Sequence, residues 1–162
     1  MDLSWNSLTV DSFQALGVGV NGCPTLQQLS IAGCSGCRTP LGESPCTVFL
    51  ENMVGGAPAL RILDLTANLL DSSGTLVLED ALEQHKKLEK LILSENTLGS
   101  PGTSSILRLL CRDSCGLQSI DCTDCVSVGE EHGGTDGGKT GEPGNGRNFN
   151  VANPCGRYVL DL

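Results

Sequence analysis

Nine cysteines supply this 162-residue chain with its best candidates for metal binding. Two pairs have the Cys-x-x-Cys spacing of zinc sites: Cys34 with Cys37, and Cys122 with Cys125. Four thiolates would each lie about 2.3 Å from one zinc ion, so the two pairs would have to meet. A second, more local set is Cys111, Cys115, Cys122 and Cys125. Zinc binding is therefore a hypothesis that depends on where the fold places these cysteines.

Residues 133–140 match the phosphate-binding pattern G-x-x-x-x-G-K-T. In a phosphate-binding loop the backbone N–H groups hold the phosphates because the loop leads directly into the first turn of a helix. Here Gly141-Glu142-Pro143-Gly144 follows, and that sequence cannot begin a stable helix. Eight glycines between Gly129 and Gly146 also make a chance match easy. The segment is better interpreted as a flexible linker than as a nucleotide site.

Catalytic residues are not predicted anywhere in the chain. The sequence shows no pattern that pairs a nucleophilic side chain with a base, and no pair of carboxylates that indicates general acid and base chemistry. The two histidines are His85, at the end of a predicted helix, and His132, in the glycine-rich segment. The sequence therefore predicts a protein that is not an enzyme and needs no cofactor.

The elements that must position these residues follow from a repeated apolar phrase, Leu-x-x-Leu-x-Leu-x-x-Asn-x-Leu. The phrase is complete at residues 60–70 and 88–98, is looser at 26–34 and 117–125, and ends a partial copy at 1–8. At its third apolar position the steps are 28 (Leu3 to Ile31), 34 (Ile31 to Leu65), 28 (Leu65 to Leu93) and 29 (Leu93 to Cys122). A fixed period in this range predicts stacked coils.

The phrase, followed each time by a helical stretch, resembles the leucine-rich repeat family. Periods of 28 and 29, with Cys allowed in the Asn position, resemble its ribonuclease-inhibitor-like class. The resemblance implies an α/β solenoid with a curved parallel sheet on the concave side and helices on the convex side. It also implies a ladder in which a buried Asn amide, or a Cys in its place, bonds to the backbone of the adjacent coil. The ladder residues are Asn6, Cys34, Asn68, Asn96 and Cys125.

One helix is expected after each strand. The clearest is predicted at 73–87, with Leu76, Leu78, Ala81 and Leu82 on its apolar stripe and two lysines at its end. Ser44-Pro45 predicts the start of another helix by its capping and first-turn preferences. The 34-residue step contains a Gly-, Cys-, Ser-, Thr- and Pro-rich segment at 33–43, which predicts a longer loop between strand and helix.

This stacking opposes both zinc hypotheses. Coils three steps apart place the pair at Cys34 about 14 Å from the pair at Cys122, and the local set would need a sharp bend in one strand. Nine is also an odd number, so a paired disulfide scaffold would leave one cysteine over. We therefore expect reduced structural thiols and no metal.

Three segments are expected: repeats at 1–126, a disordered Gly-rich linker at 127–150, and the start of a truncated strand or domain at 151–162. Because both ends interrupt a repeat or a strand, we expect a fragment of a larger parent chain. The net charge of -9, from 19 acidic and 10 basic residues, disfavours nucleic acid and anionic membranes as partners. Without a signal peptide or an apolar span, the expected location is the cytoplasm, with the nucleus as the alternative.

A binding surface is expected on the outward strand positions of the concave face, which are mainly acidic with a few apolar members. These are Asp2, Trp5, Ile62, Asp64, Ile92, Glu95, Asp121 and Asp124. Such a surface suits a basic protein partner, although the same residues would also serve as an ordinary solvated face.

The resulting functional prediction is a non-catalytic protein–protein interaction scaffold. The alternative is a regulator of a small GTPase, as some repeat proteins of this class are. That activity needs an arginine presented at the nucleotide, from among Arg38, Arg108 and Arg112. A third class is the sensor arm of an innate-immune type receptor, which would need a nucleotide-binding domain.

Overall fold

A computed structural model describes residues 1–53, 58–83, 85–111, 116–125 and 150–152. Helices and strands alternate along the described chain from the first helix to the fourth strand. The helices are α1 (Val10–Asn21), α2 (Pro45–Asn52), α3 (Ser72–Leu82) and α4 (Gly99–Leu110). The strands are β1 (Gln28–Ser30), β2 (Ile62–Asp64), β3 (Lys90–Ile92), β4 (Ser119–Asp121) and β5 (Asn150–Ala152).

Strands β1 to β4 lie side by side in chain order, and all four are parallel. Leu29, Leu63, Leu91 and Ile120 lie directly opposite one another in this sheet, and each is at most 1% exposed. They are the second apolar residues of successive copies of the phrase, so register and sequence repeat together. A helix joins each pair of strands, as parallel connections require. The α/β class and parallel sheet are confirmed, in an arrangement compatible with a repeat solenoid.

The partial first phrase adds to the free edge of β1. Asp2 forms a parallel bridge with Ser30, and the N–H of Leu3 donates to the carbonyl of Ser30 at 2.8 Å. Farther on, the N–H of Trp5 donates to the carbonyl of Ala32 at 2.7 Å. Residues 1–5 therefore continue the stacking, although only one bridge forms.

At the other edge, β5 pairs with β4 in the opposite direction, with Val151 opposite Ile120. This strand spans the predicted boundary between segments 127–150 and 151–162. Beyond Ala152, the predicted strand or domain at 151–162 lies outside the described residues, as does nearly all of the predicted linker.

The core lies between the sheet and the helices. The phrase supplies fully buried leucines such as Leu60, Leu63 and Leu65, and the helices cover them with side chains such as Phe49 and Leu78. A fully buried Leu contributes about 2 kcal/mol through removal of its apolar surface from water. The repeated leucines therefore hold each coil to the next and to its helix.

The start of α2 is confirmed as predicted. Ser44 Oγ accepts a hydrogen bond from the N–H of Cys46 at 3.1 Å, and Pro45 occupies the first turn. In α3 the capping residue is Asp71, whose Oδ1 accepts from the N–H groups of Ser73 and Gly74, each at 3.1 Å. Both caps satisfy donors that have no partner inside their helix.

The prediction for α3 is wrong at its end and in part of its stripe. The helix ends at Leu82, so Lys86 and Lys87 lie in the turn that leads back to β3. Leu76 is 51% exposed, whereas Glu79 is buried. The reason is that α3 packs between α2 and α4 as well as on the sheet, which buries a wider and shifted face.

The 34-residue step is confirmed as a longer loop, here called the insertion loop, at residues 33–43. Gly42 N–H donates to the carbonyl of Thr39 at 2.8 Å, which closes a turn in the loop. Arg38 Nη1 lies 2.8 Å from the Gly42 carbonyl and 2.8 Å from Asp71 Oδ2. The loop is thus tied to the cap of α3. Within the described part of the chain, no helix is long and apolar enough to cross a membrane.

Candidate interaction surface

The sheet face opposite the helices is organised in rows, because the strands are in register. One row, here called the acidic row, joins the residues that lie opposite one another at the equivalent position of successive coils. Its members are Asp2, Ser30, Asp64, Ile92 and Asp121. Of the eight predicted surface residues, the structure thus brings four into one line. Ile62 lies in the neighbouring row, beside Lys90.

Each aspartate of the acidic row is fixed by the residue two positions later. Asp64 Oδ1 accepts from the N–H of Thr66 at 3.0 Å and from its hydroxyl at 2.7 Å. Asp121 Oδ1 accepts from the N–H and hydroxyl of Thr123 at the same two distances. The repeated pattern Asp-x-Ser/Thr, at residues 2–4, 64–66 and 121–123, is the sequence signal of these capped carboxylates.

These hydrogen bonds affect ionisation. The bonds from Ser4 hold the pKa of Asp2 below its ordinary value. Partial burial alone would raise the pKa of Asp121, but the bonds from Thr123 and Ser94 and the charge of Lys90 outweigh burial and lower it. Both carboxylates are therefore ionised at neutral pH.

Serine hydroxyls connect the acidic row from coil to coil. Ser30 Oγ donates to Asp64 Oδ2 at 3.0 Å and lies 2.6 Å from Ser4 Oγ. Ser94 Oγ donates to Asp121 Oδ1 at 3.1 Å. None of these serines was among the predicted site residues. Because of them, the carboxylates hold one geometry before any partner arrives.

Three predicted surface residues lie in turns rather than in strands, which corrects their assignment to outward strand positions. Trp5, Glu95 and Asp124 have φ values of 60°, 58° and 54°, and the chain bends there as it leaves the sheet. Gly33 and Ala67 occupy the same place in their own coils, with φ values of 61° and 52°. We call these five residues the left-handed row.

The left-handed row is held by backbone hydrogen bonds between coils. The N–H of Trp5 donates to Ala32, that of Gly33 to Thr66, and that of Ala67 to Ser94, over 2.7, 2.8 and 2.9 Å. The N–H of Glu95 continues the series to Thr123 at 3.0 Å. The row therefore has a fixed backbone, while the side chains of Trp5, Glu95 and Asp124 are exposed.

Apart from Asn6, which is exposed, the predicted ladder residues lie behind these rows. Asn96 is 1% exposed, and its Oδ1 accepts from the N–H groups of Asn68 and Leu70, each at 3.0 Å. Its Nδ2 donates to the carbonyls of Leu65 at 3.0 Å and Leu93 at 2.7 Å. One amide thus satisfies backbone groups of its own coil and of the coil before it.

Asn68 repeats this geometry one coil earlier. Its Oδ1 accepts from the N–H groups of Cys34 and Ser35 at 3.2 and 3.1 Å, and its Nδ2 donates to Ile31 at 2.9 Å. At Cys34 and Cys125 only a thiol is available.

The thiol of Cys34 donates to the carbonyl of Leu3 at 3.1 Å, and that of Cys125 donates to Leu93 at 3.2 Å. Asn6 is exposed, and its amide bonds to Leu3 and Ser4 within its own coil.

The described cysteines are free thiols. Burial raises the pKa of Cys34 and of Cys46, and a hydrogen bond with Cys125 together with burial raises that of Cys122. Those thiols stay protonated at neutral pH. Within the described ranges, no group of three or more His, Cys, Asp or Glu side chains is placed to hold a metal ion. Cys115 and residues 133–140 lie outside those ranges, so the absence of metal and cofactor stays a prediction.

Two of the three arginines considered for GTPase regulation are engaged in ion pairs. Arg38 pairs with Asp71 at 2.8 Å, and Arg108 pairs with the buried Glu79 at 3.0 Å on the helical side. Arg112 lies outside the described residues. His85, which the sequence placed at a helix end, is buried in the turn after α3 and faces the carbonyl of Met53.

Comparison with known proteins finds similarity to part of a much longer protein. No family model matches the chain. The Tonsoku-like protein of Mus musculus is 30% identical to it over 131 residues. The alignment covers 78% of this chain, and the chain spans 9% of that relative's length.

Proposed function

We propose that this chain is a segment of a leucine-rich repeat solenoid and acts as a non-catalytic protein–protein interaction module. Its binding surface is the sheet face that carries the acidic row, and its partner is a basic segment of another protein. The single observation that carries this proposal is the row itself, in which fixed carboxylates of alternate coils lie in line. The cytoplasm is the proposed location.

The repeat assignment is supported by the agreement of three periodicities. The apolar phrase, the strand register and the Asn hydrogen bonds all advance by one coil at the same positions. Each coil touches its neighbours through the sheet on one side and the helices on the other. A stack of this kind offers a long continuous surface, which repeat proteins use to bind partners.

A basic partner is supported by charge and by rigidity. The chain carries a net charge of -9, and a negatively charged protein attracts positively charged partners over long distances. Since Ser30, Thr66 and Thr123 already fix the carboxylates of Asp64 and Asp121, binding does not have to order them. Ile92, between these two aspartates, adds an apolar contact to the row.

The interaction module is favoured over GTPase regulation because of the arginines. A regulator of that kind would present a guanidinium to the nucleotide, whereas Arg38 and Arg108 are held by Asp71 and Glu79. No observation on the described residues favours the second function over the first.

The test is binding of the full chain to lysine- and arginine-rich peptides, measured by calorimetry at several salt concentrations. The variant Asp64→Asn/Asp121→Asn keeps the Oδ1 that accepts from each threonine but removes two charges. We expect its affinity to fall about tenfold and its salt dependence to flatten. The control Glu51→Gln/Asp80→Asn removes two charges from exposed helical positions and should bind normally. Equal affinity of both variants, or no binding by the wild type, would reject the proposal.

A further inference from the structure

The indole ring of Trp5 lies on the surface directly against a glycine of the next coil. A Cβ built on Gly33 would lie 2.9 Å from Trp5 Cδ2 and closer still to two other atoms of the six-membered ring. The ring therefore covers the Cα of Gly33 directly, yet Trp5 remains 71% exposed. A large, exposed aromatic face is the kind of side chain that dominates protein interfaces.

The identity of Gly33 follows from Trp5 and not from the backbone conformation. Ala67, Glu95 and Asp124 have side chains at the same place in their coils, with φ values within 10° of that of Gly33. A side chain is thus accepted in this conformation elsewhere in the stack. What distinguishes Gly33 is the ring above it.

The left-handed row has an aromatic end and an acidic end, separated by small residues. Trp5 lies over Gly33, Ala67 follows in the next coil, and the exposed carboxylates of Glu95 and Asp124 come next. Arg and Lys are attracted both to the face of Trp and to carboxylates. The two ends of the row therefore select the same class of side chain.

We propose that the left-handed row binds an extended basic segment that carries two arginines or lysines four residues apart. The first stacks on Trp5, and the second reaches the carboxylates of Asp124 and Glu95. This inference rests on the proposed function and assigns to it the spacing of the charges in the partner.

The spacing follows from the geometry of the stack. Adjacent coils lie about 4.8 Å apart, so the ring above Gly33 is about 14 Å from the coil of Asp124, three steps away. An extended chain advances about 3.3 Å per residue, so four residues cover about 13 Å. Residues i and i+4 of an extended chain also point to the same side, which lets both face the row.

The experiment uses the full chain and a series of blocked nine-residue peptides of threonine that carry two arginines one, two, four or six positions apart. Calorimetry should give the highest affinity for the spacing of four, by about five- to tenfold over adjacent arginines. Trp5→Ala should remove this preference. The control Leu41→Ala removes another exposed apolar side chain, 84% exposed in the insertion loop, and should leave the preference unchanged.

A coupling measurement locates each arginine. With the spacing of four, Asp124→Asn and Trp5→Ala should each weaken binding, and replacing one peptide arginine by threonine should remove the effect of one variant only. Equal affinity for all spacings, or an unaltered preference in Trp5→Ala, would overturn the inference. If peptides bind and Asp64→Asn/Asp121→Asn weakens them without any spacing preference, only the inference falls. If no peptide binds the wild type, the proposed function falls with it.

Discussion

Asn96 accepts the backbone N–H of Asn68 through its side-chain Oδ1, and Asn68 in turn accepts that of Cys34, so each of these two asparagines fixes the backbone of the ladder residue before it. The distance between Asn96 and Asn68 is 3.0 Å, and both asparagines are at most 1% exposed. An amide is suited to this position because it donates and accepts at once. The stack is therefore held by polar side chains inside the core as well as by leucines.

Replacing Asn96 by alanine should destabilise the fold strongly. The change leaves the buried N–H groups of Asn68 and Leu70 and the carbonyl of Leu65 without their present partner. Since each unsatisfied buried group costs about 1 kcal/mol or more, we expect a loss of about 3 kcal/mol in the free energy of unfolding, measured with urea. The control is Asn6→Ala, at the exposed first position of the ladder, which should cost under about 0.5 kcal/mol. Similar losses in both variants would contradict this role.

Replacing Gly33 by alanine should displace the Trp5 ring. Trp5 is the single tryptophan of the chain, so its fluorescence reports on this position alone. We expect a shifted emission spectrum and faster quenching by acrylamide. The variant should lose about 1 kcal/mol of stability, and in a Trp5→Ala background the loss should shrink because the clash is gone. A loss of the same size in both backgrounds would assign the effect to backbone strain.

Stability should fall as the pH drops from 6.5 towards 5. Burial lowers the pKa of His85, so the folded protein favours the neutral ring that faces Met53. A group whose pKa is depressed by folding contributes its full stability above the unfolded pKa of about 6.5 and loses it below, by at most about 1.4 kcal/mol per pH unit. Urea unfolding at several pH values measures this.

Asp2, Asp71 and Asp121 do not contribute to the pH dependence of stability between pH 6.5 and 5. The pKa values of Asp2, Asp71 and Asp121 are lowered in the folded chain, so their contributions are lost only below about pH 4. His85→Gln should therefore flatten the slope between pH 6.5 and 5. An unchanged slope in this variant would exclude His85 as its source.

Replacing Arg38 by alanine should loosen the insertion loop with little effect on the whole fold. Its guanidinium holds the Gly42 carbonyl and the Asp71 carboxylate, but the pair is about one-third exposed, so water screens it. We expect faster hydrogen exchange at Gly42 and Glu43 and a change of under about 0.5 kcal/mol in stability. Arg61→Ala, which removes an exposed pair with Glu89, is the control and should leave that exchange unchanged.

The sequence predicted the features that belong to a single coil. The apolar phrase placed Leu63 and Leu91 inside the parallel sheet, and the Ser44-Pro45 pair marked the start of α2, since both signals are local. Errors arose where two coils meet. Leu76 is exposed and Glu79 is buried because α2 and α4 flank α3, and no pattern within one helix shows its neighbours.

The binding surface was predicted only in part, again because contacts between coils determine the rest. Asp64 and Asp121 follow from alternation along a strand, but their alignment depends on the register between strands. The positive φ values of Trp5, Glu95 and Asp124 carry no residue signature, since only Gly33 has the residue type that this conformation favours. The reason for a glycine at position 33 is the Trp5 ring above it, which belongs to another coil.

The reversed direction of β5 has a consequence for assembly. Bound to β4, it occupies the N–H and C=O groups that a following parallel coil would need, so the two arrangements exclude each other. Bare sheet margins are templates on which separate molecules nucleate fibrils. Because the short antiparallel strand closes that margin, we expect it to protect the molecule against end-to-end polymerisation.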